Sequence, residues 1–249
     1  MNITIIDDAI ALELRQQVWD YLKQQTWHIK YKNTDTIESF VPTQDGFDVP
    51  NRNPLSVNGT AMARTALAGD EKYLRAVHRP IYALWEQINS ALGNQYSITG
   101  VPEGVYIPEH LEQLPKSAFP ELNHGWRVYT NGQYQESIKH SHGIHRDNAN
   151  LEDTTSATIL YVANLTWYPS WFAECVYYSD RVTGDTQQFQ TADADAQRRN
   201  FDLGWAEQIV SPVPGRIIAY DGRTLHTTRP AATWATEPRV TLAFRARRK

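Results

Sequence analysis

Apolar positions along this chain repeat with a helical period in its first part and alternate in its second. Ile10, Leu14, Val18 and Leu22 recur every four residues, which sets them on one face of a helix running to about Gln25. Ile81, Leu84, Trp85, Ile88 and Leu92 form a second stripe, ended by Gly93. This helical region opens after Asp70 and is expected to break or kink at Pro80, which lacks an amide hydrogen. Residues 2–6 read as a short strand, with Asp7 and Asp8 as candidate caps of the first helix. From Trp27 to about Ala68 the pattern dissolves around Pro42, Pro50 and Pro54, which predicts loop with a strand at 27–31.

After Tyr96 the runs become short and β-like, at 96–99, 126–130, 156–165, 175–179, 216–220 and 239–244. Several short strands without long helices between them predict an antiparallel sandwich or barrel. The expected class is mainly β with N-terminal helices. No internal repeat or linker divides the chain, so one domain over 1–249 is expected, with 1–95 as helical and loop support and 96–249 as the β core. Residues 180–200 (DRVTGDTQQFQTADADAQRRN) are polar and poor in large apolar side chains, and read as an insertion. This insertion and the loop near 27–53 are expected to close over a substrate rather than build the core.

Composition narrows the function classes. A chain of 249 residues is long enough for one well-buried core. A net charge of −4 argues against a nucleic-acid partner, which favours a basic surface. The single cysteine, Cys175, has no partner for an internal disulfide and suits a reducing compartment. The first residues lack a basic stretch followed by a long apolar run, and no apolar run approaches a membrane span. A soluble, cytoplasmic protein is expected, with no membrane partner.

The chemistry concentrates at His140-Ser141-His142-Gly143-Ile144-His145-Arg146-Asp147, which holds three of the chain's eight histidines. On a strand, positions i and i+2 share a face, so His145 and Asp147 can close on one ion. Together they supply two-thirds of a 2-His-1-carboxylate triad, which leaves the opposite face of iron(II) open. Downstream, PGRIIAYDGRTLH presents His226 just after the Asp221-Gly222 turn. The run Arg239-Val240-Thr241-Leu242-Ala243-Phe244 then alternates, with Val240, Leu242 and Phe244 on one face and Arg239 and Thr241 on the other. An arginine facing a β interior is costly unless it meets an anion, and its planar fork matches a carboxylate. The pattern predicts a metal triad of His145, Asp147 and His226, with a carboxylate ligand held by Arg239 and Thr241.

HRD at 145–147, the downstream PGRIIAYDGRTLH and the PRVTLAF run resemble the iron(II)/2-oxoglutarate-dependent oxygenases, most nearly the prolyl-4-hydroxylase-like branch. Members of that branch carry a tyrosine–glycine strand before the HxD, similar to Arg127-Val128-Tyr129-Thr130-Asn131-Gly132 here. They also carry an LYLN strand followed by a W-G-G-E turn, matched by Leu160-Tyr161-Val162-Ala163-Asn164 and Trp171-Phe172-Ala173-Glu174. Both glycines of that turn are replaced here, by Phe172 and Ala173. The resemblance spans roughly 126–244. It implies a double-stranded β-helix core, iron(II) as metal, and 2-oxoglutarate and O2 as cosubstrates. It further implies succinate and CO2 as coproducts and oxidation of an unactivated C–H bond. Tyr129 joins Arg239 and Thr241 as a cosubstrate contact, and Arg127, Asn131, His142 and Trp171 are candidates on the substrate side or behind the ligands. Halogenases of this class lack the carboxylate, so Asp147 points to oxidation. The expected substrate is a small metabolite, such as an amino acid or natural-product intermediate, with a protein prolyl residue as the alternative.

Three rival readings fit the sequence less well. HSHGIH resembles the H-x-H-x-D-H signature of zinc hydrolases, but Ile144 stands where that motif needs aspartate. The R-x5-R pair of nucleic-acid demethylases matches Arg239 and Arg245, but the net charge of −4 counts against it. A non-catalytic binding module has no need of open metal positions. His140 reads as a loop histidine, Glu174 as a turn residue, and 245–249 (RARRK) as a solvated terminus.

Overall fold

The computed structural model describes residues 2–25, 27–30, 37–40, 62–68, 75, 78–98, 128–133, 144–148, 150–178, 206–229, 231–232 and 234–249. Among them the strands are β1 (Ile3–Ile6), β2 (Trp27–Lys30), β3 (Ile37–Phe40), β4 (Met62–Ala68), β5 (Tyr96–Ser97) and β6 (Val128–Gln133). They continue with β7 (Ser156–Val162), β8 (Cys175–Tyr178), β9 (Ala206–Val210), β10 (Ile217–Asp221), β11 (His226–Thr228) and β12 (Arg239–Arg248). The helices are α1 (Leu12–Lys23) and α2 (Arg79–Ala91). The larger sheet runs β1-β10-β7-β12-β6-β4-β2-β3, with β5 also on β12, and the smaller runs β11-β8-β9. Every pair of neighbouring strands in these ladders is antiparallel.

Period-two alternation decides which side chain meets which layer. In β12, Val240, Leu242, Phe244 and Ala246 pack with Leu14, Val18 and Leu22 of α1 and with Ile81, Leu84, Trp85 and Ile88 of α2. Ala157, Ile159 and Tyr161 of β7 and Ile217 and Ala219 of β10 belong to the same layer. On the opposite face, Ile218 and Tyr220 of β10 and Leu160 of β7 meet Cys175, Tyr177 and Val210 of the smaller sheet. The middle of the larger sheet is therefore covered on both faces. This explains the unbroken apolar runs of β7 and β10.

Two buried asparagines fix chain direction at the ends of strands. Asn89 of α2 donates to the Tyr96 carbonyl at 3.0 Å and accepts from its amide at 3.2 Å, which holds β5 to the helix. Asn164, just after β7, donates to the Pro238 carbonyl at 2.9 Å and accepts from the Val240 amide at 2.7 Å. Those bonds set the path of the chain into β12. Trp85 and Phe244 stack with ring centroids 5.2 Å apart, joining helix layer to sheet, and Phe244 is fully buried. Replacing Phe244 by alanine is expected to cost about 3–5 kcal/mol, because the surrounding helices close the cavity only in part. Urea unfolding measures this, and a loss under about 1 kcal/mol would contradict the packing assigned to Phe244.

Three expectations need correction. Asp7 and Asp8 do not cap α1, whose N-cap is Ala11 without a side-chain hydrogen bond. Asp7 instead accepts from Arg216 Nε and Nη2, both at 2.7 Å, so a partner 209 residues away wins over the adjacent helix. Pro80 begins α2 rather than kinking it, since it sits in the first turn where a missing amide hydrogen breaks no helical bond. The stretch from Trp27 to Ala68 contains the strand expected at 27–31, as β2, and two more that were read as loop, β3 and β4; all three extend the larger sheet beyond β6. It builds the sheet instead of serving only as a cover, because backbone pairing at a sheet edge needs little side-chain periodicity. Strands β9 and β11 also lay outside the predicted set. The insertion at 180–200 lies outside the described residues. Among those described, no helix is long and apolar enough to cross a membrane.

Candidate metal centre

Backbone pairing brings the two ligand-bearing segments together. His145 and His226 form an antiparallel bridge, each amide donating to the other's carbonyl at 3.0 Å. Nearby, the Asn148 amide donates to the Gly222 carbonyl at 2.7 Å and the Gly222 amide to the Ser156 carbonyl at 3.0 Å. A Cβ on residue 222 would run into Ser156 Oγ, so a larger residue in the turn ahead of His226 would force the Ser156 side chain to shift. The HRD segment, the start of β7 and the β10–β11 turn are thereby clamped to one another.

Within this clamp one ligand atom each from His145, Asp147 and His226 lies within 4.8 Å of the others. Asp147 Oδ1 is 3.6 Å from His145 Nε2 and 3.7 Å from His226 Nε2. His226 Nδ1 lies 3.0 Å from the Thr224 carbonyl, which can only accept. That contact places the proton on Nδ1 and turns the Nε2 lone pair towards Asp147. Burial, opposed by the charge of Asp147, pushes the His226 pKa down to about 4, so the ring is neutral near pH 7 and ready to ligate. The side chains of Asp147 and His226 are 5% and 8% exposed, whereas His145 is 33% exposed, so solvent reaches the cluster from the His145 side.

Asp147 is held by a network of its own. Thr158 Oγ1 donates to Oδ2 at 2.7 Å and the Tyr220 hydroxyl donates to the same oxygen at 3.0 Å. Arg245 Nη2 donates to Oδ1 at 2.6 Å, and its Nη1 pairs with Oδ2 and donates to Thr158 Oγ1 at 2.6 Å. Burial is the largest influence and would raise the Asp147 pKa, but Arg245, His226 and His145 together outweigh it and hold the carboxyl well below the usual range. Burial and the Asp147 charge push the Tyr220 phenol well up, so it stays a protonated donor.

Arg239 occupies the other end of the same interior. It is 5% exposed, and its Nη1 donates to the Ala173 carbonyl at 3.3 Å and Cys175 Sγ at 3.2 Å, its Nη2 to Thr228 Oγ1 at 3.3 Å. Thr228 lies two residues beyond His226, roughly 7 Å of strand, which is the span of a short dicarboxylate. The carbonyl meeting Arg239 belongs to the turn at 171–174, in which no residue is glycine. Phe172 and Ala173 nonetheless keep positive φ values of 56° and 67°, a conformation that normally favours glycine. That strain, roughly 1 kcal/mol or more per residue, sits where the Ala173 carbonyl meets Arg239.

The structure thus brings His145, Asp147 and His226 together and buries Arg239 and Thr241 on one face of β12. Trp171 is buried and makes edge contacts with Trp167 and Tyr168. Tyr129 and Asn131 lie in β6, whose backbone alone is described; Arg127, His140 and His142 lie outside the described residues. The reading of 245–249 as a solvated terminus is wrong for Arg245, because β12 runs on to Arg248 and carries Arg245 inward to Asp147. Sequence reasoning also missed Thr158 and Tyr220, which donate to Asp147.

No family model and no curated protein sequence matches this chain. Solved structures similar to it include a Pseudomonas putida prolyl-4-hydroxylase, at 12% identity and a TM-score of 0.45, covering 99% of this chain and 92% of that one. A second is a Trichoplax adhaerens prolyl hydroxylase in complex with a peptide fragment of the oxygen degradation domain of hypoxia-inducible factor. It shows 14% identity and a TM-score of 0.48, covering 99% and 83% of the two chains. HygX from Streptomyces hygroscopicus, solved with nickel, 2-oxoglutarate and hygromycin B, shows 12% identity and a TM-score of 0.49, covering 99% and 83%.

Proposed function

We propose that this chain is an iron(II)- and 2-oxoglutarate-dependent oxygenase, a single domain built on a double-stranded β-helix core. The observation that carries this reading is a two-histidine, one-aspartate cluster sharing one buried interior with Arg239. Two facing antiparallel sheets, the smaller packed on the inner face of the larger, support the core assignment.

The donor set fits a first-row dication, with two imidazole nitrogens and one carboxylate oxygen. His145, Asp147 and His226 would hold iron(II). When bound, that metal with 2-oxoglutarate and O2 supplies the oxidising power for hydroxylating an unactivated C–H bond, releasing succinate and CO2. The chain's own part is positioning. Thr224 fixes the His226 tautomer, and Thr158, Tyr220 and Arg245 hold both Asp147 oxygens, favouring single-oxygen ligation. Arg239 would grip the distal carboxylate of 2-oxoglutarate, with Thr241 on the same face and Tyr129 on the neighbouring β6. The proposed substrate is a small metabolite, an amino acid or natural-product intermediate. Assays against metabolite mixtures and prolyl peptides separate this class from protein hydroxylation.

Lysine at 239 keeps the charge but loses the planar fork. Arg239→Lys is expected to raise the KM for 2-oxoglutarate about tenfold or more while iron binding stays at the wild-type level. Succinate formation at varied 2-oxoglutarate, alongside metal content, tests this. Unchanged 2-oxoglutarate kinetics would move the anchor elsewhere.

A further inference from the structure

A cavity of about 460 Å³ lies outside the interior that holds the metal cluster. Among the described residues it is lined by Arg146, Leu151, Asp221, Arg223, Thr224 and Arg248, and none of the candidate ligands reaches it. Strand alternation accounts for its place. On β12, Phe244 and Ala246 face the helix layer, and Arg248 follows them on the same face; on β10, Ala219 leads in the same way to Asp221. Tyr220 and Arg245, which hold Asp147, lie on the opposite face of these strands. The cavity therefore belongs to the outer face of the larger sheet, and the metal cluster to the inner one.

Its charged wall is held in place by its own bonds. Asp221 accepts from Arg223 Nε at 2.8 Å, from Nη2 at 2.6 Å and from the Arg223 amide at 2.9 Å. Arg223 Nη1 donates to the Leu151 carbonyl at 2.8 Å. Arg146 Nη1 donates to the Arg223 carbonyl, which brings a second guanidinium to the same wall. The third, Arg248, lies close enough to add to the lowering of the Asp221 pKa that Arg223 chiefly causes. Three guanidiniums thus line the cavity with one carboxylate, a formal excess of two positive charges. Arginine keeps its charge throughout the physiological range, and a concave wall of one sign concentrates counter-ions. A phosphate monoester carries about −1.5 to −2 charges near pH 7 on three acceptor oxygens, which matches both the excess and the donors. A cavity this size is in the range of small-molecule sites, roughly 300–1,000 Å³, so there is room for an organic group beside Leu151, which is exposed.

We infer that this cavity binds a phosphate dianion, as the free ion or as the monoester of a small molecule, at a site separate from the metal centre. The inference does not depend on the oxygenase reading.

The test is calorimetric titration of the full chain with ribose 5-phosphate, ribose and inorganic phosphate, each with and without manganese(II) and saturating 2-oxoglutarate. Both phosphates are expected to bind about tenfold or more tightly than ribose in either condition, and to weaken as sodium chloride is raised. Tighter binding of the ester than of inorganic phosphate assigns a phosphorylated small molecule, and equal binding assigns the free ion. Arg248→Gln removes an exposed side chain from a residue whose strand bonds are made by its backbone. It should weaken phosphate binding about tenfold, the effect of one hydrogen bond between charged groups. Leu151→Glu keeps the carbonyl that receives Arg223 and sets a carboxylate at the rim, with a loss of similar size. Arg239→Lys should leave phosphate binding unchanged. Wild-type affinity in Arg248→Gln or in Leu151→Glu overturns the inference, as does binding of ribose as tight as that of the phosphates. Loss of phosphate binding on adding 2-oxoglutarate, or in Arg239→Lys, would place the anion in the metal interior and overturn it too.

Discussion

Replacing His226 by alanine is expected to abolish metal retention and, with it, succinate formation from 2-oxoglutarate. The expectation follows from how the ring is held. Its Nδ1–H is fixed on the Thr224 carbonyl, its Nε2 lone pair turns towards Asp147, and burial keeps it neutral down to about pH 4. No protonation penalty therefore opposes metal binding near neutrality. Losing a residue that supports a ligand typically costs 10–100-fold in metal affinity, so losing the ligand should cost at least about 100-fold. The backbone bridge to His145 does not depend on the side chain, and alanine should leave the fold intact. Metal content after dialysis and unfolding midpoints of the metal-free protein check both halves. A folded His226→Ala protein with wild-type iron affinity would place the third ligand elsewhere.

The candidate cluster was legible because its logic is local. His145 and Asp147 are two residues apart, and His226 follows an Asp-Gly turn, so spacing and turn chemistry suffice to nominate them. The helical stripes were legible for the same reason, and both became helices against the larger sheet. What escaped was decided at long range. Asp7 looks like a helix cap until the chain returns with Arg216. Strands β3 and β4 have no apolar alternation, because their pairing is made by backbone groups that every residue carries, whereas the alternating 27–31 run was legible and is β2. Tyr220 reads as an ordinary strand former, since aromatic residues favour sheets whether or not their hydroxyls hold a ligand. Arg245 was hidden by its neighbours. Alternation from Arg239 through Thr241 points to residue 245 on the same face, but the run RARRK looks like a solvated tail. The period, followed two residues further, was the better guide.

Arg245 is also where a single substitution should act on stability and metal binding in opposite senses. Its guanidinium spans both oxygens of Asp147, whose side chain is 5% exposed. Methionine retains much of the apolar stem but no charge, so Arg245→Met leaves a buried carboxylate without its cation. Breaking a buried pair in this way costs about 3–5 kcal/mol. For a chain of this size that corresponds to a fall on the order of 10 °C in the Tm of the metal-free protein. The pH dependence has a definite sign. In the wild type the depressed Asp147 pKa gives stability that is present above the unfolded value near 3.8 and is lost as pH falls through the folded one. The variant keeps only what His226 and His145 contribute to that depression, and its buried carboxyl protonates more readily, so the gap between the two proteins narrows as the pH is lowered. A divalent metal held by Asp147 replaces part of the missing positive charge. Metal addition is therefore expected to raise the Tm of Arg245→Met by more than that of wild type, whereas Arg245→Lys should fall between them. Melting curves with chelator and with saturating manganese(II), at neutral and acidic pH, measure every arm of this prediction. A metal-free variant that melts with the wild type, or a Tm gap unmoved by metal, would show that Arg245 does not compensate the Asp147 charge.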